Sequence, residues 1–76
     1  MADNELARIE IGFDGGQIMS ALVTAASADA LERAVSARSD GTLPLDAQDG
    51  RYTVLLGRIV YVKRFAREAK VGFETY

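Results

Sequence analysis

Two period-two apolar runs joined by a glycine turn constrain this chain more than any other feature. Ile9, Ile11 and Phe13 alternate with Arg8, Glu10 and Gly12, and Met19, Ala21 and Val23 alternate with Ile18, Ser20, Leu22 and Thr24. Successive side chains of an extended chain point to opposite faces, so this period reads as strand and not as helix. Asp14-Gly15-Gly16 stands between the runs, and glycine supplies the positive φ that a tight turn needs. Leu6 to Thr24 therefore predicts a β-hairpin. Its second strand, Gln17 to Thr24, is apolar on both faces, which predicts a strand that is central or covered on both sides.

One helical stripe follows. Leu31, Ala34, Val35 and Arg38 keep the i, i+3, i+4, i+7 spacing. Ser27 is the expected N-cap, Asp29 and Glu32 then lie near the positive end of the dipole, and Arg33 and Arg38 lie toward the negative end. Ser39-Asp40-Gly41 ends the helix, with Gly41 as the left-handed terminator. A helix of about three turns is marginal alone and needs a sheet to pack on.

Leu43-Pro44-Leu45 reads as an edge strand or an extended lead-in, because proline has no N–H to donate. Gln48-Asp49-Gly50 marks a second hairpin, with Asp49-Gly50 as its two-residue signal. Arg51 to Leu56 alternates and Gly57 breaks it. Arg58 to Phe65 is the strongest strand, with Ile59, Tyr61, Lys63 and Phe65 on one face and Val60, Val62 and Arg64 on the other. Ala66 to Lys70 reads as a polar connector or a short helical turn, and Val71-Gly72-Phe73 as a final short strand. The expected fold is α+β: a small antiparallel sheet of about five strands, β-β-α-β-β-β, with one helix packed on one face. Residues 1–5 are expected to form a disordered tail and residues 6–76 a single domain.

Composition narrows the chemistry. A chain of 76 residues buries only roughly 60% of its unfolded surface, and one without Cys or His has neither disulfides nor the usual zinc ligands to add stability. Oligomerisation is the remedy left. The same absences remove the commonest general acid–base and thiolate groups, so no catalytic residue, metal or cofactor is expected. Asp14-Gly15-Gly16 lacks the spacing of a phosphate-binding glycine loop, and Asp40, Asp46 and Asp49 lack the spacing of a calcium loop. No apolar run approaches the roughly 20 residues of a membrane helix, and the acidic start is unlike a signal peptide. A cytoplasmic chain with no membrane contact is expected.

The net charge of −2 conceals an asymmetry. Residues 1–50 hold nine acidic and three basic groups, whereas residues 51–76 hold six basic and two acidic ones. Arg58, Lys63, Arg64, Arg67 and Lys70, with Tyr61 and Phe65 interleaved, form a candidate nucleic-acid or anion contact. The competing explanation is an edge strand guarded by cations against aggregation. Tyr61, Phe65, Val71, Phe73 and Tyr76 form a candidate oligomer contact. The leading expectation is a small non-enzymatic interaction module that self-associates, with a homodimer as first choice. The alternative is an accessory nucleic-acid-binding protein using the basic C-terminal strand and loop. A third possibility is a small hydrolase or ligand-binding protein whose interfacial cleft is lined by Tyr52, Tyr61 and a carboxylate.

Several motifs carry a resemblance: Ile9-Glu10-Ile11-Gly12, the helix bearing Leu31 and Val35, Leu43-Pro44-Leu45, Gly57-Arg58-Ile59-Val60-Tyr61-Val62 and Lys70-Val71-Gly72-Phe73. Over about residues 8–73 the chain resembles a family of short uncharacterised actinobacterial proteins, the domain of unknown function 3107. Those proteins show a strand ending in Gly, a helix, an aspartate–glycine turn, an aliphatic-x-Tyr-Val strand and a basic-Val-Gly-Phe ending. The present chain departs from them at Asp14-Gly15-Gly16 and at Lys63-Arg64. The resemblance implies a bacterial, cytoplasmic α+β protein and carries no biochemical activity with it.

Overall fold

A computed structural model describes residues 5–66. The expected strand at Val71-Gly72-Phe73 and residues 1–4 of the expected tail lie outside the described residues. The elements are β1 (Leu6–Phe13), β2 (Ile18–Thr24), α1 (Ala25–Ser36), β3 (Thr42–Ala47), β4 (Gly50–Leu55), a single 3₁₀ turn (Leu56–Arg58) and β5 (Ile59–Arg64). They form one antiparallel sheet in the order β4-β3-β2-β1-β5, with the helix between β2 and β3 in sequence. The expected α+β class and element order are what the structure shows.

The helix covers one face of the sheet. Ile9 and Ile11 of β1, Val23 of β2, Leu45 of β3 and Val54 of β4 point toward it and meet Ala28 and Leu31. Ile9, Ile11, Val23, Leu31 and Leu45 are the largest fully buried side chains. Burying each contributes about 1.5–3 kcal/mol, which makes this small cluster the main source of stability. β2 is central, as expected, but only one of its faces is covered: Ile18 on the other face is 62% exposed.

Both hairpin turns obey local chemistry. At the first, Phe13 N–H donates to the Gln17 carbonyl at 2.8 Å, and Gly15 and Gly16 both hold φ of 92°. At the second, Ala47 pairs with Gly50, so the two-residue loop is Gln48-Asp49 rather than Asp49-Gly50.

The helix ends differ from expectation. Thr24, not Ser27, is the N-cap, and its hydroxyl accepts from Ser27 N–H at 3.1 Å. The left-handed residue that ends the helix is Arg38, at φ 57°, and Gly41, also at positive φ, lies three residues beyond it. Arg38 N–H reaches the Val35 carbonyl and Ser39 N–H the Ala34 carbonyl, the two bonds of a Schellman ending. Moving the cap back to Thr24 also removes Asp29 from the first turn.

The seam between β2 and β3 explains two residues. The ladder there is confined to Val23 opposite Ala47. Because Ala47 and Gly50 close a two-residue hairpin, alternate residues of β3 direct their N–H groups toward β2. Those positions are Asp46 and Pro44. Asp46 N–H is satisfied by the Ser27 hydroxyl at 2.9 Å, and Pro44 has no N–H to satisfy. Gln48 N–H, just past the strand, reaches the Leu22 carbonyl at 2.9 Å. Ser27 therefore pins β3 to the helix where β2 does not reach it. Pro44 sits neither on an outer edge nor in a lead-in, but on the parted side of an inner strand.

Candidate functional site

β5 carries the sequence-predicted cations, and the structure disperses them. A register shift at Gly12/Phe13 places Tyr61 opposite Gly12 but Ile59 opposite Phe13, which makes Val60 a bulge. Ile59 therefore turns to the helix face with Val62 and Arg64, away from Tyr61, Lys63 and Phe65. This corrects the expected alternation, in which Ile59 shares a face with Tyr61.

Arg58, in the turn before β5, bonds Asp14 of the first hairpin at 3.2 Å. Arg64 reaches the helix and bonds Asp29 at 2.7 Å and Glu32 at 3.2 Å. The bond to Asp29 is the largest influence raising the Arg64 pKa, although partial burial opposes it. Lys63 lies on the other face, its ammonium 4.5 Å from the centre of the Phe65 ring, with the Arg8 guanidinium at 6.0 Å. Arg67 and Lys70 lie outside the described residues. The described cations of the cluster thus occupy three separate places.

Of the candidate oligomer contacts, Tyr61 and Phe65 stand on the sheet face opposite the helix. Val71, Phe73 and Tyr76 lie outside the described residues. Tyr61 lies over Gly12, where an added Cβ would collide with its ring. Its hydroxyl donates to Glu10 at 2.7 Å, which raises the phenol's pKa above the ordinary 10.0. On β4, Tyr52 donates to Asp49 at 2.8 Å with the same effect. Tyr52 faces the helix side and Tyr61 the opposite side, so the two do not line one cleft.

The acidic trio is not assembled either. Asp46 pairs with Arg51 at 3.1 Å and Asp49 with Tyr52. Among the described residues no group of three Asp or Glu side chains stands close enough to hold a metal ion. An open depression of about 890 Å³ lies at one end of the sheet between Arg8, Glu32, Arg64 and Phe65. A second, of about 510 Å³, lies between Phe13, Gln17 and Met19 of the first hairpin and Thr53, Leu55 and Arg58.

The face of the sheet away from the helix mixes apolar side chains with Arg8, Glu10, Ser20 and Lys63. Leu6, Ile18, Leu55, Val60 and Tyr61 are 40–65% exposed. Leu6, Ile18, Leu55 and Tyr61 belong to the face away from the helix, by their register against Gly12 and Thr53. Sequence periodicity contained this signal in Ile18 and Leu55, but it named only the β5 side. Among the described residues no helix is long and apolar enough to cross a membrane. No known family, no curated protein and no solved structure matches the chain.

Proposed function

We propose that this protein is a small, non-enzymatic, cytoplasmic interaction module whose first partner is another copy of itself. The observation that carries this is the outer strand β4: among the described residues no strand lies beyond it, and its Leu55 is 55% exposed. An unpaired strand edge beside exposed apolar side chains is a ready template for another chain. The small core adds support, since a second copy supplies burial that a short chain lacks.

The nucleic-acid alternative draws less from the geometry. Arg58 and Arg64 are bonded to carboxylates, and a phosphate would have to displace Asp14, Asp29 or Glu32 to reach them. The test of self-association is sedimentation of the full chain from low micromolar to near-millimolar concentration. The expected result is a mass that rises from one chain to two. A single-chain mass throughout overturns the proposal.

A further inference from the structure

The two outer strands of the sheet are not alike. β5 is bent by the Val60 bulge and carries Lys63 and Arg64, the devices by which natural sheets discourage pairing at an edge. β4 has none of these. It pairs with β3 in unbroken register from Gly50 to Leu55, contains no proline or lysine, and its one cation, Arg51, is matched by Asp46. Among the described residues no strand lies beyond it.

Which backbone groups β4 presents outward follows from three observations. Ala47 and Gly50 close a two-residue loop, a position where both residues exchange hydrogen bonds. Pro44 has no N–H, so its pair with Thr53 is a non-bonded one. Leu56 N–H donates to the Gly41 carbonyl at 2.9 Å, continuing the same alternation past the strand. All three agree: Gly50, Tyr52 and Val54 bond β3, while Arg51, Thr53 and Leu55 direct N–H and C=O away from the sheet.

We infer that a second copy of this chain adds its own β4 to this edge, antiparallel, across a two-fold axis at Thr53. This inference rests on the self-association reading and states where it occurs. Centring on Thr53 is the register that uses all three outward residues of both copies. Thr53 then bonds the partner's Thr53, and Arg51 bonds the partner's Leu55 twice over by symmetry, about six backbone bonds in all. The side chains agree with it. Threonine meets threonine, a favourable cross-strand pair, and the aliphatic stem of Arg51 lies along the partner's Leu55, which is 55% exposed in the single chain. Moving the axis to Arg51 would set the two Arg51 side chains opposite each other. Of the exposed apolar groups the Thr53 pairing covers Leu55 and leaves Leu6, Ile18 and Tyr61 outside the contact.

The test is the dimer dissociation constant of full-length variants by sedimentation equilibrium, beside far-ultraviolet circular dichroism. Thr53→Pro removes an N–H that no bond among the described residues uses, so it is expected to keep the fold and weaken the dimer by about tenfold or more. Thr53→Lys, which keeps the backbone N–H, sets two like charges at the axis and is expected to do the same. Tyr61→Ser, on the open face, is expected to leave the dimer intact. If Thr53→Pro and Thr53→Lys are folded and dimerise as the natural chain does, the edge inference fails. If Tyr61→Ser alone abolishes the dimer, self-association stands and its location at β4 is wrong. If the natural chain never dimerises, both fail.

Discussion

The β5 side and the β4 side of this sheet are held by different means. β5 joins β1 along a ladder from Ile9 to Phe13, and Arg64 ties its end to Asp29 and Glu32 of the helix. The β3–β4 hairpin meets the rest of the sheet at one ladder pair, Val23 opposite Ala47. It is retained by the burial of Leu45 and Val54 and by the Ser27 hydroxyl. One half is thus a longer ladder, bent at Val60, with a guarded edge, and the other a hairpin docked by side chains with an open edge. The hairpin joined to the sheet by one ladder pair also holds the strand with backbone groups to spare. An added strand from a second copy would reinforce the half that has most to gain.

Removing Leu45 should have the largest effect. Leu45→Ala empties a fully buried site on the docked hairpin and is expected to cost about 2–5 kcal/mol by chemical denaturation. That is a large share of the total for a small domain. Ser27→Ala comes next. It strands the Asp46 N–H and is expected to cost about 1–3 kcal/mol. Native-state hydrogen exchange should place the loss mainly in β3 and β4, and equal loss in β1 and β5 would break the division into halves. On the other side, Gly12→Ala forces the Tyr61 ring away and breaks its bond to Glu10, with an expected cost of about 1 kcal/mol or less.

The smallest effect concerns pH. Tyr52 and Tyr61 each donate to a carboxylate, one on each side of the sheet, and both phenols titrate above their ordinary value. The bond holds the neutral phenol only. Its contribution is therefore complete below pH 10 and is lost as pH rises through the folded-state values. The thermal midpoint should fall above pH 10, and the double change Tyr52→Phe and Tyr61→Phe should flatten that fall.

Much of the fold was legible because its signals are local. Alternation gave β1 and β2, the glycines gave their turn, and Leu31, Ala34 and Val35 gave the helix. The second turn and the helix end were misread by one to three residues, and the other misreadings involve a partner distant in sequence. Ser27 has the right side chain for a cap, but Thr24 precedes it with an equally good one, which frees Ser27 to bond Asp46 nineteen residues on. The Val60 bulge left no trace in a run where Ile59, Val60, Tyr61 and Val62 suit a strand on either face. The basic cluster looked continuous because its residues are close in sequence. Strand alternation separates Lys63 from Arg64, and Asp14, Asp29 and Glu32 reach the arginines from far along the chain. The β4 edge could not be read at all without the strand order, since nothing in Gly50 to Leu55 says which neighbour is missing.

The central claim is that the outward amides of β4 find their partners in a second chain. Hydrogen exchange measured residue by residue at two concentrations, one below and one above the dimer midpoint, tests it directly. Arg51, Thr53 and Leu55 amides should exchange freely in dilute solution and become protected in concentrated solution, while Tyr52 and Val54 stay protected by β3 in both. Protection of Arg51, Thr53 and Leu55 that does not change with concentration would contradict it.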